Sequence, residues 1–218
     1  MTVRKKGTQR RGERGTIAVR GYGLTSWSRA FVDVVEGRGA DGESVADSRR
    51  ITKARRYFRD RHLRGLRIDA GRVTASVEGT QLEPFDVILT TRTVDTPTLA
   101  NLLRERNAVD ELMLLTRGEQ PPALGELLVP TESADVETDC TCPDEAPRCI
   151  HALVTCYEVA AEIDRTPLTL LTVMGTDLRA LLAEIDRRGA VDRSYVDAHV
   201  SGFDAALAAA RISGETGL

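Results

Sequence analysis

The sequence predicts an α+β protein, with a small antiparallel three-stranded sheet, helices before and after it, and a Cys/His-rich knuckle leading into the C-terminal helices. Three observations predict it. Apolar and polar residues alternate over 63–91, apolar residues recur at helical spacing on both sides of that stretch, and all four cysteines fall between positions 140 and 156. Period two marks strands with one buried face, and a three-to-four spacing marks helices with an apolar stripe. With 218 residues the chain has room for one large domain or two small ones.

Residues 1–21 are basic, Gly-rich and poor in large apolar side chains, so they are expected to form a flexible arm. Over 24–36, Trp27, Phe31, Val34 and Val35 fall at helical spacing behind a Ser/Thr cap at 25–26. A Gly/Asp/Ser-rich loop follows at 37–48. Three strands are expected near 64–69, 72–78 and 84–91, with an Asp69-Ala70-Gly71 turn joining the first two and a loop ending at Pro84 joining the next. Helices are expected at 96–108, from Leu99, Leu102 and Leu103, and at 109–118. Residues 119–126 then read as a loop and 127–142 as extended chain. Beyond the cysteines, Leu153, Cys156, Ala160 and Ile163 form one stripe of a strong amphipathic helix. A short apolar segment and two further amphipathic helices, within 176–189 and 191–213, complete the chain. The expected organisation is a basic arm (1–21), an N-terminal α+β domain with a basic helix and a β-meander (22–118), a finger (119–164) and C-terminal helices (165–218).

The formal net charge of −3 conceals a division. Residues 1–72 carry 19 basic against 8 acidic side chains, and the remainder carry 11 against 25. A basic half points to a polyanion or an acidic partner. No window approaches the roughly 18 apolar residues of a membrane helix, and the N-terminus lacks the apolar run of a signal peptide, so the expected location is the cytoplasm and no membrane partner is expected.

In that reducing compartment a tight Cys/His cluster reads as metal-binding or catalytic rather than disulfide-bonded. The cluster is Cys140-x-Cys142-x6-Cys149-x-His151. In extended chain Cys140 and Cys142 point to the same side, and "PDEAPR" reverses the chain so that Cys149 and His151 can close a tetrahedron of N and S donors as a helix begins. Three thiolates and an imidazole around Zn2+ leave a charge of −1, which Arg148 and the helix N-terminus are placed to offset. Other readings compete. A redox pair favours C-x-x-C at a helix start, a Cys149/His151 nucleophile leaves two thiols unexplained, and an iron–sulfur cluster wants four thiolates. Cys156, on the helix stripe, reads as a core cysteine. A single structural zinc ion is the reading the spacing favours, and no catalytic constellation declares itself elsewhere.

C-x-C-x6-C-x-H, with Cys142-Pro143-Asp144 and an Ala-rich helix directly after the histidine, resembles the SWIM zinc finger, a family found with Swi/Snf-class ATPases, in Mutator-type transposases and in signalling proteins. Upstream, "YGLTSWSRAFVDVVE", the Arg-rich "RRITKARRYFRD" and "GLRIDAGRVTASVEGTQLEPFDVIL" are similar to bacterial SWIM-containing proteins. The resemblance spans roughly residues 20–190. It departs in having Trp27 alone, where the family often doubles the tryptophan, and in lacking a glycine before the arginines of "KARRY". It implies a ββα-like finger with Cys140, Cys142, Cys149 and His151 as ligands. It also implies a module that contacts DNA, protein or both, beside a helicase-like Swi/Snf-class ATPase; with no catalytic constellation in the chain, a non-catalytic accessory protein is expected. The alternative is a protein–protein adaptor with structural zinc.

The basic segment 49–62 sets Tyr57 and Phe58 among cations, a pattern suited to binding DNA or RNA through phosphates and stacked bases. The candidate contacts are Arg49, Arg50, Lys53, Arg55, Arg56, Tyr57 and Arg59, joined by Lys5, Lys6, Arg10 and Arg11 of the arm. Nucleoid association would follow from such binding. The competing reading is a solvated face whose aromatics belong to the core.

Overall fold

The structure, a computed structural model, describes residues 21–38, 46–146 and 148–187. Nearly all of the expected arm, with Lys5, Lys6, Arg10 and Arg11, and the expected helix at 191–213 lie outside the described residues. In chain order the elements are α1 (Ser26–Val35), α2 (Ser48–Arg59), β1 (Leu63–Asp69), β2 (Arg72–Val77), β3 (Phe85–Thr91), α3 (Thr96–Glu105), α4 (Glu111–Thr116), α5 (Pro122–Leu128), β4 (Val136–Cys140), α6 (Ile150–Arg165), α7 (Thr169–Val173) and α8 (Leu178–Arg187). No helix among the described residues is long and apolar enough to cross a membrane.

Among the described residues the fold is α+β, and the sheet has four strands rather than the expected three. The order is β1-β2-β3-β4, antiparallel throughout. β4 pairs Val136 with Thr91, Thr138 with Leu89 and Cys140 with Val87. Its sequence, VETDC, holds one large apolar residue, so hydrophobic alternation could not announce it. The strand is defined by its distant partner and not by its own pattern. The meander follows the expected alternation: Val73, Ala75 and Val77 are buried, and Arg72, Thr74 and Ser76 turn to the other face.

α6 lies against the buried face of the sheet and is flanked by α1 and α2. It is enclosed over most of its circumference and is not a one-stripe helix: residues 152–161 are buried without interruption, as is Ile163. A helix packed by a sheet on one side and helices on the other needs apolar or paired groups all round. Among the described residues one cluster of buried apolar side chains runs from Trp27 to Ile185.

The expected loop at 119–126 and the extended reading of 127, 128 and 133–135 are also corrected, the last forming a 3-10 turn, Ser133–Asp135. Pro122 stands at the first helical turn, where its missing N–H costs nothing, and Leu124 and Leu128 bury one turn apart in α5. α1 begins where the Ser/Thr cap is expected, but no hydroxyl of its own caps it. Instead the Asp164 carboxylate at the end of α6 accepts from Thr25 N at 2.8 Å and Thr25 Oγ1 at 2.7 Å.

The other end of α1 is also tied to α6. Glu36 is buried; its Oε1 accepts from the Tyr157 hydroxyl at 2.7 Å, and both its oxygens accept from Arg55 at 3.0 Å. Arg38 also donates to Glu36. Glu36→Ala is expected to cost about 1–3 kcal/mol, mainly because the buried Tyr157 hydroxyl loses its acceptor. Glu36→Gln, which keeps an acceptor, is expected to recover part of that loss in chemical denaturation.

Candidate metal centre

Cys140 ends β4, Cys142 lies two residues on, Cys149 is the N-cap of α6 and His151 sits in its first turn. The sequence-predicted ligands therefore converge from a strand end and a helix start. Their donor atoms all lie within 4.8 Å of one another, and Cys140 Sγ is 3.9 Å from His151 Nδ1. A tetrahedral ion with bonds of about 2.3 Å separates its donors by roughly 3.7 Å, so these four fit one metal ion. Cys149 is buried and the other three are half-buried. Cys156 lies deeper in α6, fully buried and outside the group.

Within the cluster the thiolate is favoured at Cys149 and disfavoured at Cys140 and Cys142. Hydrogen bonding from the Cys140 thiol draws Cys149 down to about 4 despite its burial, with further help from His151 and the backbone N–H of Ala152. The same contact with Cys149, together with burial, pushes Cys140 well above its ordinary value, and burial raises Cys142. Cys149 Sγ accepts from Ala152 N at 3.4 Å, so the helix N-terminus favours a thiolate there. Arg148 does not sit where the sequence suggested. Its buried guanidinium donates to Ser133 O at 2.8 Å and Val136 O at 2.7 Å, at the opposite end of β4 from Cys140.

Three supports of the site were not read from the sequence: Phe85, Gly79 and the Arg50 clamp on Asp144. The His151 ring lies against Phe85, centroids 4.5 Å apart. Gly79 lets the β2–β3 loop come this close, since a Cβ there would stand 2.7 Å from Phe85 Cε2 and 3.6 Å from His151 Nε2. Asp144 begins the expected turn, its Oδ1 accepting from Ala146 N at 3.1 Å. Asp144 is also clamped by Arg50 of α2 through two bonds of 3.2 Å. A bidentate pair of this kind fixes orientation as well as distance. Arg50→Ala is expected to leave the metal bound but to weaken it several-fold in competition with a chromogenic chelator, because the ligand loop loses its anchor.

The α2 candidates separate in the structure. Arg50 and Arg55 are engaged internally, by Asp144 and Asp47 and by Glu36. Tyr57 is removed from the list of base-stacking residues: it is 6% exposed, stacks on His62 at 4.3 Å and has Lys53 above its ring. Phe58 is buried as well. Arg49, Lys53, Arg56 and Arg59 are exposed.

Fold and site together define a class: an α+β protein whose central helix starts at a Cys3His cluster able to hold a metal ion. The chain is 31% identical over 188 aligned residues to the uncharacterised protein Rv2102 of Mycobacterium tuberculosis, an alignment that covers 82% of this chain and 63% of that protein. The chain thus spans less than two thirds of that relative's length. No family model matches the chain, and no solved structure matches it significantly.

Proposed function

We propose that the cluster is a structural zinc centre of the SWIM type. On this reading the protein is a non-catalytic accessory factor in DNA transactions that binds nucleic acid, a Swi/Snf-class helicase-like ATPase, or both. One observation carries the reading: four N/S donors converge at the start of α6, and Arg50 ties the loop between them to a helix with a cationic outer face. Three thiolates and one imidazole suit zinc, whereas an iron–sulfur cluster wants a fourth thiolate. Four protein donors complete a tetrahedron and leave no position for an activated water, which favours a structural role over a catalytic one. The ion would join the end of β4 to the first turn of α6, and Cys149 and His151 would hold the helix start against the sheet.

The cationic face supports a polyanionic partner. Fluorescence anisotropy with labelled single- and double-stranded DNA at low and moderate salt tests this. Salt-sensitive binding is expected. Absence of binding at low salt would remove the nucleic-acid reading and leave the adaptor, in which the same zinc-held fold presents its basic helix to an acidic protein.

A further inference from the structure

We propose that the solvent face of α2 docks the phosphate backbone of duplex nucleic acid and reads no base. This rests on the nucleic-acid reading above and narrows it to one surface and one substrate class. Internal ion pairs sort the cations of the helix. Arg50 and Arg55 are consumed by Asp144, Asp47 and Glu36. Among the described residues Arg49, Lys53 and Arg59 have no carboxylate partner, and Arg56 has only Asp60 at 4.0 Å. Arg49, Lys53 and Arg56 stand at i, i+4 and i+7, so they line one face at heights of about 0, 6 and 10.5 Å along the axis. The Asp47 side chain accepts from the N–H groups of Arg49 and Arg50. A phosphate would therefore be held by side chains along the helix and not by its N-terminus.

Two absences on this face choose the partner. The exposed positions of α2 are charged or hydroxylic, and its aromatics are buried. Among the described residues the exposed large apolar side chains are Leu24 and Leu82, neither of them on α2. Protein contacts are usually centred on aromatic side chains and arginine within a largely apolar core, and around its cations this ridge offers no exposed apolar or aromatic side chain. Single-strand binders gain about 1–3 kcal/mol per base from aromatic stacking, and with Tyr57 under Lys53 that platform is absent too. What remains is attraction to phosphate. A duplex presents one charge per about 1.7 Å of axis, twice the density of either strand alone.

The test uses the full-length, metal-loaded chain and four fluorescein-labelled probes of equal length: AT-rich, GC-rich and mixed duplexes, and one strand of the mixed duplex. The triple variant Arg49→Gln/Lys53→Gln/Arg56→Gln is compared with Lys5→Gln/Lys6→Gln/Arg10→Gln/Arg11→Gln. Glutamine keeps the helix propensity of these exposed positions, and unchanged melting of each variant verifies the fold. Wild type is expected to bind the three duplexes within about threefold of one another and the single strand more weakly. The ridge variant is expected to lose at least about tenfold in duplex affinity and to lower the log–log salt slope by about 2.7. Preference for the single strand, a tenfold preference among duplexes, or a ridge variant that binds like wild type while the arm variant does not would each overturn the proposal and leave nucleic-acid binding standing. If wild type binds no probe at low salt, the underlying nucleic-acid reading fails and this proposal with it.

Discussion

Cys149→Ser is expected to abolish stoichiometric metal binding and to cost on the order of 3 kcal/mol or more in unfolding free energy. Cys149 is the most buried of the four donors and caps the helix at the centre of the core. Serine is itself a good N-cap, so a large loss would report the missing metal ligand and not a missing cap. Structural zinc supplies about 10–16 kcal/mol of apparent binding energy in finger peptides that are unfolded without it. The cost here is expected to be smaller, because the sheet and helices bury a core of their own. Cys156→Ser is the contrasting variant. It places a hydroxyl in a fully buried position and should cost about 1–3 kcal/mol, yet leave the metal content unchanged. Elemental analysis and urea denaturation of the two proteins separate the roles.

Gly71→Ala is expected to destabilise the fold strongly, at a position away from the Cys/His cluster. Gly71 has φ +69°, where a side chain costs about 1–2 kcal/mol. An added Cβ would also stand 2.4 Å from Thr93 Cγ2, with no other atom nearer than 3.9 Å. Relieving such a clash costs a further 1–3 kcal/mol or so. The β1–β2 turn is where the C-terminal helices join the sheet: Gly71 N donates to Thr172 O at 3.1 Å, Val94 N to Met174 O at 3.1 Å, and Thr91 Oγ1 to Val173 O. Thr93→Ser removes the clashing methyl. In a Gly71→Ala background it should restore the steric part of the loss and leave the conformational part. Additive losses in that double-mutant cycle would show that the two positions do not meet.

The elements legible in the sequence were those whose signal is local. Period two over 72–77, the apolar spacing of α1, α3 and α8, and the Asp69-Ala70-Gly71 turn each depend on neighbours along the chain. The Cys/His cluster able to hold a metal ion was legible because C-x-C and C-x-H confine its four side chains to a strand end and a helix start. β4 was not, since VETDC gains its place only by pairing with β3. The burial of α6 on nearly all sides was hidden for the same reason. Glu158 and Thr155 are polar, yet both are buried in α6. The cations of α2 were visible but not their division, because Asp144 lies 94 residues from Arg50 and Glu36 lies 19 residues from Arg55.

The central claim is that one metal ion joins β4 to α6 through Cys140, Cys142, Cys149 and His151. It is tested most directly by elemental analysis of the purified chain, followed by thermal melting with and without a strong chelator. One zinc ion per chain is expected, together with a lower melting temperature once it is withdrawn. A metal-free preparation whose melting the chelator leaves unmoved would contradict the account.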